Sequence, residues 1–277
     1  MALTRILITV KTYPTLSETY DELVCTAGFK EDGSWIRLYP VPFRKLDYKK
    51  QYKKWQWIEI DVTKNTKDFR PESYRPTDIE KAFVVKEKVG TEDNWARRKE
   101  IVLQNVYNNM AELIEKAKAV GDKTSLAVLK PTKVIDFVGE PCDREWDKQR
   151  LSRIEGHQAQ LGLFDDSAKK LFKVAKKLPY KFSYVFTTQD GQERKLMIED
   201  WELGQLYWNC LDMANGDEQI ACQKVKEKYF HYMVKQRDLY FFLGTTKTFH
   251  ARNAPNPFII IGTFYPPKID AHQLGLF

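Results

Sequence analysis

The chain has 277 residues, 43% hydrophobic and 13% aromatic, too much apolar material for a disordered chain and enough for a core without disulfide staples. Lys and Arg outnumber Asp and Glu by 45 to 38, a formal charge of +7 that favours polyanionic partners by long-range attraction. The N-terminal residues lack the apolar region and cleavage site of a signal peptide, no apolar run approaches the roughly 18 residues of a membrane span, and Cys25, Cys142, Cys210 and Cys222 form no C-x-x-C pair, so the expectation is a reduced, cytoplasmic protein with no membrane partner, no bound metal and no cofactor.

Residues 3–11 (LTRILITVK) and 22–29 (ELVCTAGF) read as strands, and Asp32-Gly33 is a turn dipeptide leading into a third at 34–39. Residues 56–63 and 80–86 add two more. Five short strands in the first ninety residues suit a small barrel of the OB type, the fold that binds oligonucleotides and oligosaccharides. From Glu92 to Val120 the apolar positions Ile101, Val102, Val106, Met110, Leu113, Ile114 and Ala117 recur at three- and four-residue steps, which predicts one amphipathic helix ending at Gly121.

Strands follow at 125–129 and 134–138, separated by Lys130-Pro131, and then a polar stretch over 140–178 reads as a flexible or protruding segment. Residues 180–186 turn at Asp190-Gly191 and return through 195–198, helices occupy 200–213 and 217–236, and strands close the chain at 238–244 and 257–264. With 132–138 as its first strand, this half reads strand-strand-strand-helix-strand-strand, the element order of an OB barrel. The predicted class is α+β, predominantly β, with two OB-like barrels carrying helical insertions: an N-terminal module at 1–123 with a helix at its end, and a C-terminal module at 124–277.

The strings KTYPTLSETYDELVCTAG (11–28), GSWIRLYPVPFRKL (33–46), LMIEDWELGQLYWNC (196–210), LYFFLGTT (239–246) and NPFIIIGTFYPP (256–267) resemble a family of small prokaryotic dual-OB-containing proteins almost end to end. The resemblance implies two OB-like barrels and a setting in prokaryotic conflict or mobile-element systems, with a conflict-system partner protein. It brings no catalytic residues, so the site must be argued from side-chain chemistry.

The segment 43–57 interleaves cations with aromatic rings: Arg44, Lys45, Lys49, Lys50, Lys53 and Lys54 among Phe43, Tyr48, Tyr52, Trp55 and Trp57. A single nucleic-acid strand needs both, cations for phosphates and flat rings for unstacked bases. The competing reading is a surface loop whose rings pack inward while its lysines face water. Lys169, Lys170 and Lys173 begin a second basic cluster, and Arg37 and Tyr39 alternate along the strand after Asp32-Gly33, where they could belong to a barrel's binding face.

Gln160-Leu161-Gly162-Leu163-Phe164 recurs as Gln273-Leu274-Gly275-Leu276-Phe277. Both copies resemble the peptide that binds the bacterial sliding clamp, in which an amide anchors a polar rim while leucine and phenylalanine fill an apolar pocket. The competing reading is docking on the protein's own barrels or on a sister chain.

Asp190, Glu193 and Lys195 superficially match the D…E-x-K pattern of metal-dependent nucleases, but Asp190-Gly191 reads better as a hairpin turn. Asp200 reads as a helix N-cap, and His157, His231, His250 and His272 have no companions at ligand-like spacing. No phosphate loop, nucleophile elbow or dinucleotide fingerprint is present. The sequence therefore points to a protein that binds single-stranded or structured DNA or RNA, without a catalytic constellation. The competing classes are a metal-dependent nuclease or base-processing enzyme, and an adaptor subunit of a defence or toxin-antitoxin complex.

Overall fold

Thr4–Lys11 (β1) is covered on both faces from Ile6 onward in the computed structural model, which describes residues 3–78, 84–162 and 172–268, with backbone alone at 159–162. Ile6 and Ile8 join one core cluster, while Leu7 and Val10 join another. A bulge between Ile8 and Val10 shifts the phase, so that Val10 faces the same way as Leu7. A strand buried on both sides needs no polar alternation, which is why TRILITVK reads as a nearly continuous apolar run.

After β1 come Thr15–Ser17 (β2), Asp21–Leu23 (β3), Thr26–Lys30 (β4), Trp35–Leu38 (β5), Gln56–Ile60 (β6), Val62–Lys64 (β7), Ser73–Pro76 (β8) and Val84–Lys88 (β9). β2 and β3 form a separate small hairpin, and the other seven pair in the order β7-β8-β5-β4-β1-β6-β9. β6 and β7 are one stretch of chain interrupted at Asp61, yet β6 pairs with β1 and β7 with β8. The sheet therefore curls round into a partial ring. Ile36, Leu38, Ile58 and Ile60 fill the ring together with Ile6 and Ile8.

The remaining elements are Glu92–Val102 (α1), Val106–Tyr107 (β10), Met110–Lys118 (α2), Leu126–Leu129 (β11), Lys133–Pro141 (β12), Lys148–Gly162 (α3), Tyr180–Thr187 (β13), Glu193–Met197 (β14), Trp201–Met213 (α4), Glu218–Lys226 (α5), Tyr240–Thr245 (β15), Lys247–Ala251 (α6) and Phe258–Phe264 (β16). β11 and β12 are again one stretch broken around Pro131, with β11 pairing to β15 and β12 to β13. β13 pairs with β14, β15 with β16, and a parallel bridge Ile198↔Ile260 ties the end of β14 to β16. A second ring of contacts results, and Phe137, Tyr184, Phe186, Phe241 and Ile260 lie in its core.

A third cluster lies between the rings. β1 gives Leu7 and Val10, β11 gives Leu126 and Val128, β15 gives Phe242, and β16 gives Ile259 and Ile261. The alternate residues Leu129, Phe241, Leu243, Phe258 and Ile260 face the second ring's interior. At this seam the buried Arg98 guanidinium stands 4.4 Å from the Trp55 ring and 4.9 Å from that of Trp95. Trp95 is reached through three consecutive left-handed residues, Asp93, Asn94 and Trp95 itself.

Several predicted elements are corrected. The single helix over 92–120 is two helices separated by β10, because Val106 and Tyr107 pair with Val128 and Leu129, and Asn109 starts α2 by accepting the amides of Ala111 and Glu112. α2 sends Met110, Leu113 and Ala117 into the second core, not the first. The polar stretch 140–178 contains α3, and the helix 217–236 ends as a widened turn over Glu227–Tyr232 whose Tyr229 carbonyl accepts the Tyr184 hydroxyl at 2.6 Å. Of the strand expected at 80–86, residues 84–86 lie in β9 and 80–83 lie outside the described residues.

Candidate functional site

Two long connections of the first ring, residues 12–25 between β1 and β4 and residues 65–72 between β7 and β8, face the turn that leads from β15 into α6. Between them lies a cleft of about 720 Å³. Its lining includes the cations Arg37, Lys67, Arg70, Arg75 and Lys247 but only two carboxylates, Asp68 and Glu199. The balance is strongly positive.

The two innermost guanidinium groups are fixed by partners. Arg37 is fully buried and donates to Ser125 Oγ at 2.7 Å and to the Ser125 carbonyl at 3.1 Å. Ser125 is in turn held by Glu72, which accepts its hydroxyl at 2.6 Å and its amide at 3.0 Å. Arg70 donates two bonds to Asp68, at 2.9 and 2.6 Å, and a third to the Thr245 carbonyl at 2.7 Å. Burial works against the Asp68 carboxylate, but Arg70 and Ser73 hold it well below the usual carboxylate range. Arg70 thus ties the 65–72 loop to the second ring.

The cleft's outer cations reach solvent at its rim. Lys67, Arg75 and Lys247 are exposed, and Lys247 donates at 2.6 Å to the Lys67 carbonyl, which joins the two loops at the rim. Tyr39 is 39% exposed in the same lining, its hydroxyl pushed up in pKa by partial burial. On α6, the buried His250 ring makes Nε2···Ala117 carbonyl and Nδ1···Thr245 Oγ1 contacts of 2.6 and 3.0 Å. The carbonyl can only accept, so Nε2 carries the proton and Nδ1 takes the threonine hydroxyl.

The basic-aromatic segment is dismantled by the fold. Tyr52 is fully buried, its hydroxyl 2.6 Å from that of Thr26, and Trp55 packs on Phe242 and Phe264 at the seam. Lys54 is buried against Asp200. Lys45 pairs with Asp21 at 2.5 Å, and Arg44 with Glu22 at 2.6 Å and with the Lys173 carbonyl. Lys50 lies 3.8 Å from Asp47. Tyr48, Lys49 and Lys53 face solvent. The physical reason is that 43–55 crosses the end of the first ring before β6, so Phe43, Leu46 and Tyr52 are needed to fill that ring. The expectation that rings and cations of this segment line one strand-sized groove is overturned.

Arg37 and Tyr39, by contrast, do share the cleft. Arg44 lines a different cavity of about 640 Å³ with Tyr13, Lys176, Trp201, Gln205 and Trp208. Lys173 is exposed, whereas Lys169 and Lys170 lie outside the described residues. So do Leu163, Phe164, Gln273, Leu274, Leu276 and Phe277, while Gln160 and Leu161 are described only as backbone at the end of α3.

Asp190 is bound by Arg194 at 2.7 Å, accepts the Ala111 amide at 3.1 Å and titrates near 2, chiefly through the arginine. Lys195 pairs with Glu140 at 2.6 Å. The carboxylate and amine of the nuclease-like pattern are thus taken up by turn and strand contacts. No group of three or more metal-ligating side chains occurs among the described residues, whose cysteines are all free. No described helix is long and apolar enough to cross a membrane.

Sequence reasoning missed Lys67, Asp68, Arg70, Arg75 and Lys247. Their one trace in the sequence is a polar stretch, 65–75, whose two arginines carry no sign of what lies opposite them.

Fold and cleft define a strand-rich α+β protein with a cation-lined cleft where two curled sheets meet. The chain belongs to the family described as domain of unknown function DUF8757, whose model matches residues 106–277. A second, described as domain of unknown function DUF8758, matches residues 2–104. No curated protein matches the chain. Among solved structures, one described as a murine DNA binding protein bound with double-stranded DNA aligns at 10% identity and TM-score 0.29, covering 98% of this chain and 100% of that one.

Proposed function

We propose that the protein binds nucleic acid in the cleft between its two rings, and that each ring is an OB-like module. The pairing order supports the module assignment. Numbering strands within each ring, the first runs β1, β4, β5, β8, then the β7–β6 stretch and back to β1, with β5 and β8 parallel. The second runs β12, β13, β14, β16, β15, β11 with its parallel contact between the third and fifth strands. Both follow the order one-two-three-five-four-one of OB barrels, whose ligands lie against strands two and three between the loops joining one to two and four to five.

In the first ring those loops are 12–25 and 65–72, and the observation that carries the proposal is that they face each other across a cleft with five cations and two carboxylates. Its volume suits a nucleotide-sized guest. The exposed lysines and arginine would take phosphates, while Tyr39 offers a partly exposed ring for a base. The paired Q-L-G-L-F peptides add recruitment to a sliding clamp, supported by sequence alone.

Titration of a labelled single-stranded oligonucleotide tests the reading. Affinity should fall steeply as salt rises, because each phosphate contact releases counterions. Absent or salt-insensitive binding would overturn it and favour an adaptor role. Clamp recruitment is tested separately by capture on immobilised clamp, which removal of both pentapeptides should abolish.

A further inference from the structure

Glu199 is the one carboxylate of the cleft lining that no cation meets. Asp68 is held by Arg70, whereas Glu199 has no side-chain hydrogen bond or ion pair among the described residues, and burial alone pushes its pKa up. Its backbone is rigidly placed. Ile198 bridges to Ile260, the Glu199 amide donates to the Ile260 carbonyl at 2.8 Å, and Asp200 caps α4 immediately afterwards. A partly buried carboxylate in the cleft lining, with no protein partner among the described residues, has both oxygens open to a donor that arrives there.

Its neighbours in the lining describe the guest. Ile259 and Ile261 supply the apolar part of the lining, suited to the face of a flat ring. Thr12 Oγ1 accepts the Cys25 amide at 3.0 Å, which leaves its own proton to be donated. An ionised carboxylate only accepts, with two oxygens side by side, so it matches an edge bearing two adjacent N–H donors. Among the bases only guanine has one, at N1 and N2. Adenine and cytosine set an acceptor beside their donor, and uracil or thymine flanks a single N–H with carbonyls.

We propose that Glu199 makes the cleft selective for guanine, accepting its N1–H and N2–H while the rim cations hold the adjoining phosphates. This rests on the nucleic-acid reading above and gives it a base. A site built to bond an N–H group rejects analogues lacking it, because its own buried group is then left unsatisfied.

The test is fluorescence anisotropy of the full chain with a short labelled oligothymidylate or oligouridylate carrying one central guanine, hypoxanthine, adenine or cytosine, made as DNA and as RNA. The guanine oligomer should bind about tenfold or more tightly than the adenine and cytosine ones, and hypoxanthine, which lacks N2, should lose about tenfold. Glu199→Gln presents one acceptor and one donor, so it should weaken guanine binding and move the preference to adenine or cytosine. Equal affinity for all four oligomers, with binding intact, overturns guanine selectivity and leaves the nucleic-acid reading standing; failure to bind any of them overturns both. The guanine-hypoxanthine comparison needs no variant, so it decides even if Glu199→Gln does not fold.

Discussion

Lys54 and Asp200, 146 positions apart in the chain, meet at 2.7 Å with side chains 5% and 0% exposed. Burial acts to lower the lysine pKa, but Asp200 and Glu202 outweigh it and the amine is held above its ordinary value. Asp200 also accepts the Glu202 amide at the start of α4. One buried ion pair thus fastens the segment before β6 to the first turn of a helix in the other half.

Removing one partner leaves the other charge buried and alone, which costs about 3–5 kcal/mol. Lys54→Met should lower stability by that amount in urea denaturation. Lys54→Met with Asp200→Asn should recover a large part of the loss, since asparagine still caps α4 and no isolated charge remains. A double variant as unstable as the sum of the singles would show that the two side chains are not coupled.

Phe242 tests whether the rings share their stability. It is fully buried at the seam, with ring centroids 5.6 Å from Trp35, 6.2 Å from Phe29 and 6.2 Å from Phe264. Phe242→Ala should cost about 3–5 kcal/mol. Because its neighbours come from both rings, the unaltered protein should unfold in one transition, with fluorescence and circular dichroism tracing the same curve. Two separated transitions would mean that the seam does not couple the halves.

Lys11 gives stability a pH dependence above neutrality. It is 8% exposed, lies over the rings of Phe43 and Trp201, and is brought down to about 8 by burial and by the charge of Lys54. Its folded pKa is below its unfolded one, so between about 8 and 10.5 the unfolded chain binds more protons and stability rises with pH. The gain, complete above the unfolded value, is about 3 kcal/mol. Lys11→Met should remove this rise, as measured by urea midpoints from pH 7 to pH 10.5; a rise of the same size in the variant would assign it to another group.

How much of this the sequence disclosed depends on how local each cause is. The strand FIIIGTF and the helix beginning at Asp200 were legible, because hydrophobic runs and capping residues act on their own neighbourhood. Tyr52 and Lys54 were read as surface groups, because nothing near them announces Thr26 or Asp200 as partners. Of the cleft, Arg37 and Tyr39 could be found from strand alternation. Arg70 and Glu199 could not, since their setting exists only once β8, β15 and β16 are assembled around them.

The cleft and the basic segment make opposed predictions about salt. If phosphates lie along the rim, neutralising Lys67, Arg75 or Lys247 one at a time should weaken oligonucleotide binding for every sequence. Each should also reduce the slope of log affinity against log salt by about 0.7–1, one released counterion per contact. Lys49→Ala and Lys53→Ala alter the same number of charges per variant on a surface outside the cleft lining, so they should leave the slope nearly unchanged. The comparison controls for net charge, because every variant loses one positive unit. Equal slope changes at rim and control positions would mean that the protein is held only by its overall charge, whereas a larger change at Lys49 and Lys53 would return the interface to the segment before β6.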